Sequence, residues 1–431
     1  MTFWLNKSMK RRTFIRGAAA AAAGLFVDTG LIAETITRSK FLVTINMTGG
    51  WDVSSFCDPK LNVKGEPTIN TWAKTKGILQ KGNLQFADYG NNSWFFAKHW
   101  KNILVINGID SQTNSHGAAT RASFTGTLRE GLPTLSSLYA TEFGQDLATP
   151  HLSLGSGVTY SNLEMVAPIR ISSIDAFKSA INANRIRGSS DTIIPEKIYQ
   201  RILDQKKASI SRVIQESELN PGNSVLRESY RNSMNRLDSL KDFVDISLPI
   251  TLPKAGFGAQ VEIAMSAFLS GQTICADLGP VYSSQGGSFS FDTHAYHDEN
   301  HENYLVDALD GIDYLWTLAE QTGIADNLIV VVSSDFGRTP FYNQEGGKDH
   351  WPVGSTMIME RNARYTNKTI GKTDEVQNAE RINPTTLEID NFQGLYLNPS
   401  HVQLALRDYL NIQKTSQRYP LVNVDRVNFF G

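Results

Sequence analysis

Four stretches of the chain are apolar almost without interruption and then break on glycine, serine or aspartate. They are FLVTINMTGGWD from Phe41 to Asp52, NILVINGID over Ile103 to Ile109, TICADLG over Thr273 to Leu278, and LIVVVSSD from Leu328 to Asp335. A shorter version, PHLSLGSG, lies near Leu152. Strands buried on both faces read this way, because neither side of the pleat carries a polar row. Helical periodicity fills the intervals. GAATRASFTGTLRE and TLSSLYATEF follow the second run, GAQVEIAMSAFLSG precedes TICADLG, and YLVDALDGIDYLWTLAEQTG precedes the last. Strands alternating with helices predict an α/β fold with a mostly parallel sheet sandwiched by helices. No repeat at solenoid spacing interrupts the alternation.

One segment departs from it. Residues 195–245 are polar and helical, with Ile198, Leu203, Ile210, Val213 and Ile214 on one stripe and Val225, Leu226, Tyr230, Leu237, Leu240 and Val244 on another. NPGN, Asn220 to Asn223, parts the two. The pattern predicts a helical hairpin inserted into one α/β domain spanning residues 34–431. It serves either as a packing spacer or as a lid.

Composition adds exclusions. The chain has 431 residues, 41% hydrophobic and 19% charged, with a net charge of −2, so no basic face for nucleic acid is forced. In its body no apolar run reaches the ~18 residues of a membrane-spanning helix. Cys57 and Cys275 are too few for a disulfide scaffold or a cysteine-rich zinc site, and either pair or lie free in the core. The first 33 residues are different: KRRTFIRGAAAAAAGLFV sets Arg11 and Arg12 before an alanine-rich apolar stretch. Paired arginines before such a stretch are the pattern of a twin-arginine export signal. Residues 1–33 are therefore expected to address the chain, through the twin-arginine machinery, to the periplasm or the exterior, with no membrane span kept afterwards.

In open α/β sheets, ligands bind beyond the carboxyl ends of the strands. Residues just past the apolar runs are therefore the candidates. They are Asp52 behind TGG; Ser115 and His116 at a helix start; Asp292, His294, His297 and His301 in FDTHAYHDENH; Asp335; and Asp349 and His350. Of eight histidines in the chain, His116, His294, His297, His301 and His350 fall in these loops. Aspartate and imidazole grouped this way suit one or two divalent ions, zinc first, with manganese or calcium as alternatives. Asp335 closes an apolar strand, where an ionised carboxylate needs a partner. His301 reads as a solvated helix-start residue. Arg338 either grips an anionic oxygen with its fork or closes a strand-end salt bridge.

Taken in order, RRTFIRG, GGWD, NSHGAATRASFTG, FDTH, SSDFGRT and GGKDH resemble the exported proteins of domain-of-unknown-function family 1501, itself similar to the alkaline phosphatase and sulfatase superfamily. The resemblance implies an alkaline-phosphatase-like fold and a two-metal site. Asp52 and Asp335 would hold one ion, and Asp292, a histidine of THAYH (His294 or His297) and His350 the other. It puts His116 in the nucleophile slot, one residue beyond Ser115. Two departures stand out. The slot holds histidine rather than Ser, Thr or Cys, so His116 either takes the transferred group or joins the metal ligands. Asp335 is followed by Phe336 where the superfamily usually has histidine. The implied activity is metal-dependent hydrolysis of anionic phosphate or sulfate esters. The alternative is a non-catalytic exported binding or assembly protein that keeps the fold.

Overall fold

The computed structural model describes residues 40–155, 157–160, 166–186, 188, 189, 191–218, 231, 256–279, 282–284 and 287–431. The expected export signal and the second arm of the expected hairpin, residue 231 apart, lie outside the described residues.

Eight strands make the principal sheet: β1 (Phe41–Asn46), β2 (Ile103–Asp110), β3 (His151–Ser153), β4 (Ile169–Arg170), β5 (Cys275–Leu278), β6 (Leu328–Ser333), β7 (Val353–Glu360) and β8 (Lys368–Ile370). Their order across the sheet is β8-β2-β7-β6-β1-β5-β3-β4. Every neighbouring pair is parallel except those made by β7, which runs antiparallel to both β2 and β6. The sheet is therefore mostly parallel, as the apolar runs predict. The apolar pattern of VGSTMIME, which forms β7, is a buried strand that the search for glycine- or aspartate-ended runs passes over.

Helices cover both faces: α1 (Asn92–His99), α2 (His116–Thr125), α3 (Leu135–Phe143), α4 (Ile174–Ile181), α5 (Glu196–Glu218), α6 (Phe257–Leu269), α7 (His297–Gln321) and α8 (Pro399–Tyr409). Alternate strand residues point to opposite faces. Phe41, Val43, Val330 and Val332 pack with Phe95 and Phe96 of α1, Phe268 of α6, and Leu305, Leu309 and Ile312 of α7. Leu42, Ile329, Val331 and Ile358 pack on the other side with Leu138 of α3 and Val402 and Leu406 of α8. Each fully buried leucine or phenylalanine contributes roughly 1.5–3 kcal/mol. Helix α5 is the first arm of the predicted hairpin. Leu203, Ile210, Val213 and Ile214 are half-buried along it, while Ile198 is exposed. Cys57 and Cys275 are buried and free.

This topology fixes where the chemistry gathers. The parallel strands β1, β2 and β6 end at one rim. Because β7 is antiparallel, its first residue, Val353, pairs with Asp110 at the end of β2. The loop entering β7, which carries His350, thus meets the loops leaving the other three.

Candidate metal centre

Four loops build the centre. Gly49 and Gly50 leave β1 with φ of +106° and +86°, and a Cβ on Gly49 would lie 2.4 Å from Asp292 N, so only glycine permits that approach. The freed Gly49 N–H donates to both carboxylate oxygens of Asp335, at 3.1 and 3.2 Å. Arg338 binds these loops together. Its buried guanidinium donates to the Gly49 carbonyl, to Gly50 O (2.8 Å), to Lys348 O (2.9 Å) and to Asp292 Oδ1 (2.6 Å). Of the two roles open to Arg338, the structure thus shows the ion pair at the strand end, with the fork turned onto protein oxygens.

Around Asp292 stand three imidazoles. His294 Nε2 lies 3.0 Å and His350 Nε2 3.2 Å from Asp292 Oδ1, and His116 Nε2 is 3.4 Å from Oδ2. The two nitrogens His294 Nε2 and His350 Nε2 are 2.9 Å apart. Ligand atoms of His116, Asp292 and His350 all lie within 4.8 Å of one another. Each ring is held from behind through Nδ1: His116 by Asp335 Oδ2 (2.5 Å), His294 by Asp349 Oδ1 (2.7 Å), His350 by Asn114 O (2.9 Å). Carboxylates and carbonyls only accept, so each Nδ1 donates, and the lone pair of each neutral ring is on the inward Nε2. Histidines that ligate metals are held in this way. His116 Nε2 is buried without a hydrogen-bond partner. Nε2 of His116 and of His350 with the Asp292 carboxylate fit a divalent ion of the zinc type, and His294 Nε2 stands beside them.

The neighbouring carboxylates favour the protonated form of His116, whose inward proton a divalent ion would displace. Proximity to Asp292, and then to Asp335, pushes His116 up to about 9. Burial alone would raise Asp292, but His116 and Arg338 hold its carboxyl well below the usual range. The His294 bond likewise lowers Asp349. Phe336, beside Asp335, packs under the imidazoles, with ring centroids 4.8 Å from His116 and 4.6 Å from His350. The cluster is open: the His294 and Asp292 side chains are 44% and 35% exposed.

A second, closed compartment lies behind it. Asp52 is fully buried, and its carboxylate accepts from Ser54 N (2.9 Å), Ser54 Oγ (2.6 Å), Lys348 Nζ (2.6 Å) and His297 Nε2 (3.1 Å). Burial would raise the Asp52 carboxyl, yet the Lys348 ammonium holds it well below its ordinary value. His297 Nδ1 faces the Thr293 hydroxyl at 2.6 Å, and burial lowers this imidazole. His301 is fully buried, not solvated: its Nε2 accepts from Asp52 N at 2.8 Å. Burial, then the neighbouring His297, lowers it strongly.

The structure therefore parts the residues singled out in the sequence. His116, Asp292, His294 and His350 come together, with Asp335 and Asp349 one bond behind them. Asp52 turns to Lys348 and His297 instead. The reason is where α7 begins: His297 and His301, four apart on its first turns, face the core, while His294 precedes the helix and faces out. Ser115 is the exposed N-cap of α2, and its hydroxyl caps nothing. Two participants escape a search for acids and imidazoles, Lys348 and Asn70. The signal for Lys348 was its place in GGKDH, two residues before His350. Next to the centre opens a cleft of about 480 Å³ lined by Phe341, Tyr342, Trp351, Thr339, Asn343 and Asp349.

No curated protein matches the chain. Solved structures similar to it include alkaline phosphatase from the Antarctic bacterium TAB5, at 10% identity over 88% of this chain and 100% of that one, TM-score 0.35. Another is the PsFucS1 sulfatase from Pseudoalteromonas sp., at 9% identity over 94% and 72% of the two chains, TM-score 0.37. The lipoteichoic acid synthase LtaP from Listeria monocytogenes matches at 9% identity over 96% and 80%, TM-score 0.36. A family model, that of the proteins of unknown function DUF1501, matches residues 274–399, the segment that carries Asp292, His294, Asp335 and His350.

Proposed function

We propose that the chain is an exported, metal-dependent hydrolase of phosphate or sulfate esters. The observation that carries this reading is the convergence of three Nε2 atoms on Asp292, each ring with its Nδ1 hydrogen-bonded outward and the Nε2 of His116 buried without a hydrogen-bond partner. His116, Asp292, His294 and His350 would hold the ion. When bound, it supplies Lewis acidity toward an ester oxygen. His116 belongs in this reading to the ligands, not to the attacking groups.

The chain's own residues supply the rest. Asp335 and Asp349 fix His116 and His294 in the tautomer that presents Nε2. Arg338 fixes Asp292 without itself reaching solvent. The first N–H groups of α2 have no carbonyl four residues back within the helix, so they are available to an anionic oxygen. The attacking oxygen is that of water or of Ser115, exposed at the N-cap of this helix. The aromatic walls of the adjoining cleft suit the uncharged remainder of the ester. The paired arginines Arg11 and Arg12 support export by the twin-arginine route, in which a protein crosses already folded.

The test is turnover of an aryl phosphate and an aryl sulfate by the zinc-loaded chain. Asp292→Ala and His350→Ala should each abolish hydrolysis and zinc retention together. Ser115→Ala separates the two attackers: lost activity with retained zinc assigns the hydroxyl, and retained activity assigns water. Zinc bound with no turnover of either ester would overturn the hydrolase reading and leave a metal-dependent binding or assembly protein.

A further inference from the structure

The superfamily resemblance implies a second ion at Asp52, and the residues around Asp52 do not fit one. Both oxygens of its carboxylate are occupied: Oδ1 accepts from Ser54 N and Ser54 Oγ, and Oδ2 accepts from Lys348 Nζ with His297 Nε2 at 3.1 Å. The place of a cation is filled from within. Lys348 Nζ donates to Asp52 Oδ2 (2.6 Å) and Asn70 Oδ1 (3.0 Å) and is 3.4 Å from Ser54 Oγ, with the Tyr342 ring 5.2 Å away. An ammonium has three N–H groups, and three oxygens surround this one. Lys348 and Asp52 side chains are both 0% exposed, and a buried charge persists only when paired and hydrogen-bonded.

The backbone makes the arrangement specific. Lys348 N donates to Thr293 O (3.0 Å), and Lys348 O accepts from Arg338. Successive residues of this loop point to opposite sides, so Lys348 enters the closed compartment while Asp349 and His350 serve the open one. Carboxylate, carboxamide and hydroxyl oxygens around a positive charge form the donor set of a hard divalent ion.

We propose that Lys348 is a tethered cation standing in the second metal position, so that the chain takes up one divalent ion, at the histidine centre, and none at Asp52. The clause about the histidine centre rests on the function proposed above; the Lys348 assignment does not.

Metal content after dialysis against manganese or zinc tests it. The wild type should hold one equivalent, unchanged by Asp52→Asn and lost in His350→Ala. Lys348→Ala should hold two, the added ion disappearing in Lys348→Ala with Asp52→Asn. If Lys348→Ala does not fold, Lys348→Gln vacates the charge while keeping a polar chain, and the same second ion is expected. Two equivalents in the wild type, one of them lost with Asp52→Asn, would overturn the proposal while leaving a metal protein. No gain of an ion in a folded Lys348→Ala or Lys348→Gln would overturn it too. A wild type with no ion, beside a Lys348→Ala variant with one that depends on Asp52, would sink the histidine centre and uphold Lys348.

Discussion

At the scale of single residues, the two compartments depend on how tightly the GGKDH loop seats against the FDTHAYH segment. Gly347 marks the contact: a Cβ there would lie 1.8 Å from the His294 carbonyl oxygen, a distance no side chain tolerates. Both partners are backbone, so neither yields by changing a rotamer. Gly347→Ala should push the loop outward and displace Lys348 and His350 together. Overpacking of this kind destabilises by about 1–3 kcal/mol. We expect at least a tenfold loss of zinc affinity beside that drop in stability, read by metal titration and thermal melting. An alanine variant with wild-type zinc affinity would mean that the seating of this loop does not set the ligand geometry. Arg338 belongs to the same scale. Its donors go to the Gly49, Gly50 and Lys348 carbonyls and to Asp292, so the arginine that looked able to hold an anion is the strut between the loops.

At the scale of elements, α7 decides which histidine does what, and its beginning was hard to read. The apolar period that announces this helix starts at Tyr304, whereas the helix starts at His297. HDENHEN has no apolar stripe, and its N-cap, Tyr296, is in the left-handed region at φ 50°, where no Ser, Thr or Asp cap advertises the start. Asp298 and Glu299, acids in the first turn, were the available hint. The sequence therefore gathers the histidines correctly into one region but cannot divide them between the two compartments. Farther along α7, Asp313 ties the helix to α1, accepting from His99 at 2.7 Å and from Lys98. Burial would raise the Asp313 carboxyl, but these partners hold it below its ordinary value. A depressed carboxyl stabilises the fold above the unfolded value of about 4, and that contribution is lost as pH falls through the folded value. The group is partly solvated, so the effect is about 1 kcal/mol or less. Asp313→Asn should melt lower than wild type at pH 7, and the gap should close as pH is taken below about 4. A gap independent of pH would mean the ion pair contributes nothing.

At the scale of the whole molecule, the apolar runs ending in Asp52, Ile109, Leu278 and Asp335 are legible because strands buried on both faces are mostly apolar. What they cannot show is the order of strands, above all that β7 enters between β2 and β6 in the reverse direction. That reversal brings His350 to the rim from the front of a strand instead of the back of one. It also means the centre draws on segments from Asn114 to His350 and is complete only when the sheet is. An ion held there binds the folded chain and has no comparable site in the unfolded one, so binding and stability are linked. At an ion concentration 100 times the dissociation constant, the linkage is about 2.7 kcal/mol. For a chain this long, that corresponds to a rise in melting temperature of a few degrees at most. A chelator should therefore lower the melting temperature of the wild type, and added zinc should restore it. His350→Ala should melt at or below the chelated wild type and respond to neither. Because Lys348 and Asp52 stay paired in both proteins, the response isolates the open centre. A chelator shift that survives in His350→Ala would place the ion elsewhere on the molecule, and no shift in the wild type would mean that the three imidazoles hold none.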